Sequence, residues 1–230
     1  MIPRIIHYCW FGRGKKPKLA KKCIDSWKRF CPDYKIIEWN EDNFDVDKYE
    51  YAKYCSENKQ WAYLSDFVRL VVVYEYGGIY FDTDVELIKS PVNLLKYKAF
   101  YGFENNNYVA TGLGFGAQKN DVTVKAMFNC YLKMTKTNGR YELLGCPLIN
   151  TRTLEEFGLK KNGKRQSLNG VEIFPQDYFN PLDDSTGRCN LTDNTISINH
   201  YGKSWMKKRI RVKSRVAQII RRYLNIKLRK

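Results

Sequence analysis

The spacing of hydrophobic residues predicts alternating strands and helices over the first part of the chain. Residues 2–11 form a short apolar run typical of a strand, and residues 18–30 carry apolar side chains at helical spacing. Residues 34–39 predict a second strand, whereas residues 40–54 predict a loop with a short helix. A strand-helix-strand unit is typical of a parallel sheet covered by helices, so the pattern indicates an α/β fold.

The most distinctive stretch is residues 65–86, SDFVRLVVVYEYGGIYFDTDVE. Its helical periodicity predicts a helix that stops at Gly77-Gly78, and residues 79–81 predict a strand buried on both faces. Asp82 and Asp84 follow directly. Because side chains alternate along an extended strand, we expect both carboxylates on one side of the chain. Two carboxylates in that place are suitable oxygen ligands for Mg²⁺ or Mn²⁺.

The second half of the chain predicts a mixed, more antiparallel arrangement. Three glycines in residues 108–117 indicate a strand whose backbone a ligand can approach closely. Residues 160–169 predict a hairpin-like loop. The remaining elements are predicted strands at 99–104, 171–174 and 195–199 and predicted helices at 122–134 and 145–158.

Three further features have two interpretations from the residues alone. Asp66 and Arg69 share a helix face, so they are either ligand contacts or an ordinary surface ion pair. Trp10 follows the first strand, where it either stacks on a nucleotide base or packs in the core. His200 follows the last predicted strand and is either a metal ligand or a structural histidine.

Composition narrows the class of protein. The 17 Tyr and 5 Trp suit a surface that stacks on sugars or bases. No apolar run reaches the roughly 20 residues of a membrane span, and the first strand begins without a signal peptide, so we expect a cytoplasmic protein. The seven cysteines are odd in number and include no Cys-x-x-Cys pair, which favours reduced thiols over disulfides or a zinc site.

The net charge of +16 is concentrated at the C-terminus. Residues 203–230 contain twelve Lys and Arg and no acidic residue, which leaves 28 basic against 24 acidic residues before them. Apolar residues from 212 to 224 recur at helical spacing and predict a basic amphipathic helix over 206–230. Such a helix suits an anionic membrane surface, although it can also pack on the protein core or on a second subunit. Nucleic-acid binding is disfavoured because the charge is confined to this tail.

Three motifs resemble those of glycosyltransferase family 32 and occur in the same order as in that family. They are HYCWFG at 7–12, the stretch at 65–86 and HYGKSW at 200–205. They are also similar to the glucosylating domains of large clostridial toxins. The resemblance implies a GT-A fold over residues 1–205, with a Rossmann-like central mixed sheet flanked by helices. It also implies a nucleotide-sugar donor, a divalent metal that is usually Mn²⁺ but can be Mg²⁺, and transfer with retention of configuration.

The resemblance assigns roles to single residues of these motifs. Asp84 would bind the metal, with Asp82 and His200 completing its coordination. Asp82, Asp84 and Arg69 would form the catalytic set, which offsets the charge of the leaving diphosphate. Trp10 would stack on the donor base. The donor-binding residues implied by the resemblance are Trp10, Asp66, Arg69, Tyr80, Asp82, Ser204 and Trp205.

The expected activity is transfer of a hexose or N-acetylhexosamine, most simply from a UDP-sugar. The expected acceptor is a glycan, in particular a lipid-linked intermediate of a surface or capsular polysaccharide. With the tail on anionic lipid, the protein would be peripheral to the inner face of the cell membrane. The alternative is a catalytically silent nucleotide-sugar-binding or membrane-scaffold protein with the same fold.

Overall fold

The computed structural model describes residues 1–202, which form a mixed α/β fold. Its strands are Ile5–Cys9 (β1), Lys35–Trp39 (β2), Gly78–Tyr80 (β3), Val85–Leu87 (β4), Ala99–Asn105 (β5), Tyr108–Val109 (β6), Phe115–Ala117 (β7), Gln166–Leu168 (β8), Val171–Phe174 (β9) and Ser197–Asn199 (β10). Its helices are Lys18–Phe30 (α1), Glu50–Glu57 (α2), Trp61–Tyr76 (α3), Val122–Leu132 (α4) and Cys146–Glu156 (α5).

The central sheet has the strand order β2-β1-β3-β7-β5-β9-β8, with β6 paired to β5. Strand β1 is parallel to β2 and β3, whereas β7 is antiparallel to both β3 and β5. Strand β9 is parallel to β5, and β8 returns antiparallel along β9. A separate pair, β4 and β10, is antiparallel. The predicted mixed sheet flanked by helices is therefore confirmed.

Helix α1 follows the predicted apolar spacing. Ala20, Cys23, Ile24 and Trp27 are its buried residues, which places them on one face of the helix. The indole N–H of Trp27 donates to the carbonyl of Val85 at 2.8 Å. This bond ties the helix to β4, just beyond the Asp82–Asp84 segment.

Helix α3 is nearly all apolar and runs through the interior. It ends at Gly77, whose φ of +65° is a conformation that favours glycine. A Cβ at Gly77 would lie 2.8 Å from the backbone nitrogen of Lys119, so the turn is also closely packed. The predicted helix and glycine turn are confirmed, and they place β3 directly beside β1.

The interpretation of residues 108–117 as one strand is wrong. The segment forms β6, a short 3-10 turn at Thr111–Leu113, and then β7. Gly114, with φ +125°, interrupts the extended backbone, and a Cβ there would meet the Phe81 ring at 2.6 Å. Both β6 and β7 run antiparallel to β5, so the segment keeps its direction and the 3-10 turn interrupts its pairing beside the end of β3.

The remaining expectations from the sequence concern the C-terminal helix, membrane spans and the cysteines. The predicted amphipathic helix at 206–230, and with it the division at residue 205, lies outside the described residues. Within residues 1–202 no helix combines the length and the apolar character needed to cross a bilayer. The seven cysteines are all free thiols, and Cys189 is the exposed one.

A buried histidine holds the turn at Gly77 in place through a hydrogen bond. His7 is fully buried; its Nε2 contacts the carbonyl of Gly77 at 2.8 Å, and the Trp39 indole donates to its Nδ1 at 3.0 Å. An accepting Nδ1 leaves Nε2 as the N–H donor, which is the neutral imidazole. Burial lowers the pKa of His7 from 6.5 to about 4 despite the hydrogen bond to Gly77.

This lowered pKa predicts a loss of stability in acid. Below about pH 6.5 the unfolded chain protonates His7, whereas the folded protein resists protonation down to about pH 4, so acid favours unfolding. At pH 5 this difference in protonation lowers the free energy of unfolding by about 2 kcal/mol. Urea unfolding of the wild type and of His7→Gln at pH 7.5 and pH 5 measures it.

The variant comparison is needed because Asp66 and Asp84 act in the opposite direction. Their pKa values are raised to about 6, so the folded state gains stability as the pH falls through that range. His7→Gln retains both aspartates and loses only the histidine contribution. An equal pH dependence in wild type and variant would contradict the role given to His7.

Candidate active site

A cavity of about 660 Å³ lies at the carboxyl ends of β1 and β3. This edge of an open α/β sheet is the usual ligand position. Five segments line the cavity: residues 9–14 from the end of β1, residues 61–69 in α3, residues 82–84 after β3, Glu104 in β5, and residues 145–147 at the start of α5. The predicted candidates Trp10, Asp66, Arg69, Asp82 and Asp84 all contribute to this lining.

The two aspartates reach the cavity through a turn. Strand β3 ends at Tyr80, and the Val85 N–H donates to the carbonyl of Asp82 at 3.0 Å, which closes a turn around Thr83 and Asp84. The expectation of an extended segment was wrong because aspartate favours turns over strands. Both carboxylates nevertheless line the same cavity.

Arg69 connects the helix to this turn. Its side chain is only 3% exposed, and its Nη2 lies 3.0 Å from Asp66 Oδ1 and 2.9 Å from Asp82 Oδ1. The guanidinium carbon lies 4.8 Å from the centre of the Tyr80 ring. The interpretation of Asp66 and Arg69 as a surface ion pair is therefore excluded, because the arginine is buried and bridges two elements.

Asp82 is held on two sides. Its Oδ1 accepts hydrogen bonds from the Tyr80 hydroxyl at 3.0 Å and from Arg69. A Cβ at Gly112 would lie 2.4 Å from its Oδ2, so this carboxylate fits only against a residue without a side chain. The orientation of Asp82 is fixed before any ligand binds.

Asp84 is anchored by the segment after β10. Its Oδ2 accepts a hydrogen bond from the Gly202 N–H at 2.7 Å, and its carbonyl accepts one from the His200 N–H at 2.9 Å. Burial and the nearby charge of Asp82 raise the pKa of Asp84 to about 6. Burial likewise raises the pKa of Asp66 to about 6, even though Arg69 acts against it.

The structure gives the His200 side chain a different partner from the predicted metal site. Its Nε2 lies 2.7 Å from Glu86 Oε2, an oxygen that Lys22 Nζ also contacts at 2.7 Å. Within residues 1–202 no group of three His, Cys, Asp or Glu side chains is arranged to hold a metal. The three predicted ligands are therefore not assembled around one point. The backbone N–H of His200 holds Asp84 in place, and the role of the His200 side chain as a metal ligand stays a prediction.

Trp10 lies on the cavity rim, half-buried. Its indole N–H donates to the Gly14 carbonyl at 2.6 Å, and Lys16 Nζ lies 5.7 Å from the ring centre. This location is compatible with stacking on a base, which stays a prediction. Ser204 and Trp205, predicted to close over the diphosphate, lie outside the described residues.

Several residues of the site were not predicted from the sequence. Cys146 Sγ accepts a hydrogen bond from Arg69 Nη1 at 3.5 Å, at the start of α5. Glu104, at the end of β5, lines the main cavity and an adjoining one of about 210 Å³. The only local signal was the Gly-Cys-Pro sequence that begins α5. The other contacts join segments far apart in sequence.

Comparison with known proteins finds a family that matches part of this chain. Residues 17–101 match the family described as "Glycosyltransferase sugar-binding region containing DXD motif". The match covers less than half of the chain, and this part of the chain is similar to that sugar-binding region. It extends from α1 into β5 and contains Asp66, Arg69, Asp82 and Asp84. The resemblance is confirmed for the motif at 65–86, which lies within the matched residues.

Curated relatives match a stretch of this chain about as long as the family match. "Inositol phosphoceramide mannosyltransferase 3" of Schizosaccharomyces pombe is 31% identical over 106 residues, which are 43% of this chain and 29% of the relative. "Mannosyl phosphorylinositol ceramide synthase CSH1" of Saccharomyces cerevisiae is 32% identical over 44% of this chain and 27% of the relative. The matches thus span less than a third of these relatives.

Solved structures extend the likeness beyond the sugar-binding region. The "PaToxG Glycosyltransferase" superposes with a TM-score of 0.53 over 67% of this chain and 68% of its own, at 16% identity. A glycosyltransferase "involved in the glycosylation of the major capsid of PBCV-1" gives a TM-score of 0.52 over 95% of this chain and all of its own, at 10% identity. At these identities the likeness concerns the fold, and it confirms the expected GT-A type.

The charges of the sugar-binding region fit a divalent cation. Among residues 1–202, four carboxylates and one guanidinium line the cavity, those of Asp66, Asp82, Asp84 and Glu104 and that of Arg69. A cavity with this excess of carboxylates repels a diphosphate unless a cation lies between them. Asp82 and Asp84 provide oxygen ligands, and substrate phosphates and water can complete the shell, as is usual for Mg²⁺.

Proposed function

We propose that the protein is a metal-dependent, retaining glycosyltransferase that uses a nucleotide sugar. The observation that carries the proposal is the network in which the buried Arg69 bridges Asp66 and Asp82 beside Asp84, in a cavity large enough for a ligand of this kind. A charged network in the wall of a cavity costs desolvation energy. Recognition of a polar ligand is a direct reason to retain it.

The residues of the network have separate roles in this proposal. Asp66 and Arg69 contact the donor sugar and its phosphates, while Trp10 at the rim stacks on the base. Asp82 and Asp84 would hold Mn²⁺ or Mg²⁺, which as a Lewis acid would offset charge on the leaving diphosphate. Arg69 adds fixed positive charge on the same side, already oriented by its two carboxylate partners.

Retention is proposed to proceed by attack on the face from which the diphosphate leaves. The acceptor hydroxyl oxygen bonds to the anomeric carbon as the bond from that carbon to the phosphate oxygen breaks. The hydroxyl proton passes to the departing phosphate oxygen. Asp66 and Asp82 are both engaged by Arg69, which disfavours either as a nucleophile.

The donor and acceptor are proposed by chemical class. A UDP-sugar carrying a hexose or N-acetylhexosamine is the simplest donor, and the relatives named as mannosyltransferases make mannose a candidate for the transferred hexose. The acceptor is proposed to be a lipid-linked glycan or polyol headgroup, at the inner face of the membrane through residues 206–230. Co-sedimentation with anionic vesicles, compared with and without those residues, tests the membrane contact; equal binding by both forms would reject it.

A panel of UDP- and GDP-sugars with Mn²⁺ tests the activity itself. Slow hydrolysis of one donor in the absence of acceptor is the expected result, because water can take the place of the acceptor hydroxyl. EDTA is expected to stop the hydrolysis. If no donor is hydrolysed and one is bound, the protein is a catalytically silent nucleotide-sugar-binding protein.

A further inference from the structure

The smaller cavity adjoins the main one and has a wall of its own. Its volume is about 210 Å³, enough for one sugar-sized ring. Seven residues face both cavities and form the partition between them: Asp66, Arg69, Asp82, Asp84, Glu104, Cys146 and Pro147. The wall of the smaller cavity alone contains Ala110, Gly112, Leu113, Asn199 and Tyr201.

A buried asparagine joins two sides of this smaller cavity. Asn180 is 1% exposed, and its Nδ2 donates to the Glu104 carbonyl at 3.0 Å and to the Tyr201 hydroxyl at 2.6 Å. Asn180 follows the aromatic segment whose Phe179 packs beneath Gly102 of β5. The positions of Glu104 and Tyr201 are therefore fixed together by one rigid connection.

The carboxylate of Glu104 differs from the other acids of the partition. Asp66 and Asp82 contact Arg69, and Asp84 accepts the Gly202 N–H. Within residues 1–202 no such donor contacts the Glu104 side chain; burial and the nearby charge of Asp184 raise its pKa. A carboxylate that is partly withdrawn from water without a donor is costly, and a bound hydroxyl group would reduce that cost.

We propose that the smaller cavity binds the acceptor and that Glu104 accepts a hydrogen bond from its attacking hydroxyl. The inference rests on the proposed function. Glu104 faces both cavities, so a hydroxyl held there is beside the donor sugar. The Tyr201 hydroxyl accepts a hydrogen bond from Asn180 Nδ2. Its own proton is therefore available to donate to a second oxygen of the acceptor molecule.

The charge of the cavity also defines the acceptor class. Four carboxylates and one guanidinium favour a neutral polyol ring over a ring with a phosphate near the attacking hydroxyl. Glu104 orients the hydroxyl and is unchanged at the end of the step. The proton still goes to the departing phosphate oxygen, and the new bond joins the acceptor oxygen to the anomeric carbon.

Separate assays of hydrolysis and transfer test this proposal. With Mn²⁺ and the donor identified by the panel, methyl α-mannoside serves as the neutral acceptor and mannose 6-phosphate as the anionic one. Glu104→Ala is expected to lower the ratio of transfer to donor hydrolysis, because transfer alone needs the acceptor hydroxyl that Glu104 orients. Its transfer to methyl α-mannoside should fall about 10- to 100-fold through a higher KM for the acceptor, the cost of losing a hydrogen bond to a charged group.

Two further variants separate orientation from a general effect. Glu104→Gln retains an oxygen acceptor and is expected to recover part of the transfer, whereas Glu57→Gln, on the exposed face of α2, is expected to match the wild type. Parallel loss of hydrolysis and transfer in Glu104→Ala would place the residue in the donor site and overturn the proposal. So would undiminished transfer, or a preference of the wild type for mannose 6-phosphate. Failure of the wild type to hydrolyse any donor would instead refute the proposed function.

Discussion

Replacing Asp84 with asparagine is expected to lower Mn²⁺-dependent donor hydrolysis at least about 100-fold while the protein stays folded. The amide oxygen can still accept the Gly202 N–H that Asp84 Oδ2 accepts at 2.7 Å, so the turn is preserved. The variant loses the negative charge that, with Asp82, would hold the cation. Without that cation the carboxylates of the cavity repel the donor diphosphate.

The stability of this variant has a predicted sign. The pKa of Asp84 is raised to about 6 by burial and by the charge of Asp82, so its ionised form is disfavoured in the folded protein above that pH. At pH 7.5 without metal, Asp84→Asn should therefore melt at the same temperature as the wild type or higher. Adding Mn²⁺ with the nucleotide should raise the melting temperature of the wild type and leave that of the variant unchanged.

A matched control is available on the surface. Asp25 on α1 is exposed and forms an ion pair with Lys28, so Asp25→Asn is expected to retain both activity and the response to Mn²⁺. Near-normal turnover of Asp84→Asn would refute the metal-dependent assignment. A large drop in melting temperature would show instead that Asp84 supports the fold.

The elements predicted best were those specified by local periodicity. Helix α1 was predicted with the bounds Lys18–Phe30 because Cys23, Ile24 and Trp27 repeat at helical spacing and nothing distant alters the face they bury. The end of β3 was predicted less well. Its apolar run continues through Phe81, but the chain turns at Asp82, where the Val85 N–H pairs back to the Asp82 carbonyl.

The candidate site was predicted where one motif contained its residues and was missed where distant segments meet. Asp66, Arg69 and Asp82 lie within one stretch, and the structure connects them directly. Nothing near Cys146 in the sequence signals its contact with Arg69, 77 residues away. His200 has the right residue type for a metal ligand, but its Nε2 pairs with Glu86, which lies two residues beyond Asp84.

Gly112→Ala is expected to reduce activity about 100-fold without adding a charge or removing a ligand. The new methyl group would lie 2.4 Å from Asp82 Oδ2 and 3.2 Å from Arg69 Nη1. Asp82 cannot simply rotate away, because Tyr80 and Arg69 both hold its Oδ1. The carboxylate must shift, and displacement by about 1 Å is enough for a loss of this size.

The effect should fall on the donor site and leave the core of the fold intact. Donor hydrolysis and the Mn²⁺-induced rise in melting temperature measure it, and the melting temperature without metal serves as the check on folding. Asp25→Asn on the exposed face of α1 again serves as the control and should retain both the activity and the response to Mn²⁺. Full activity in Gly112→Ala would mean that Asp82 can move without consequence. The fixed position of the Asp82 carboxylate would then not be required to place the cation and the donor diphosphate.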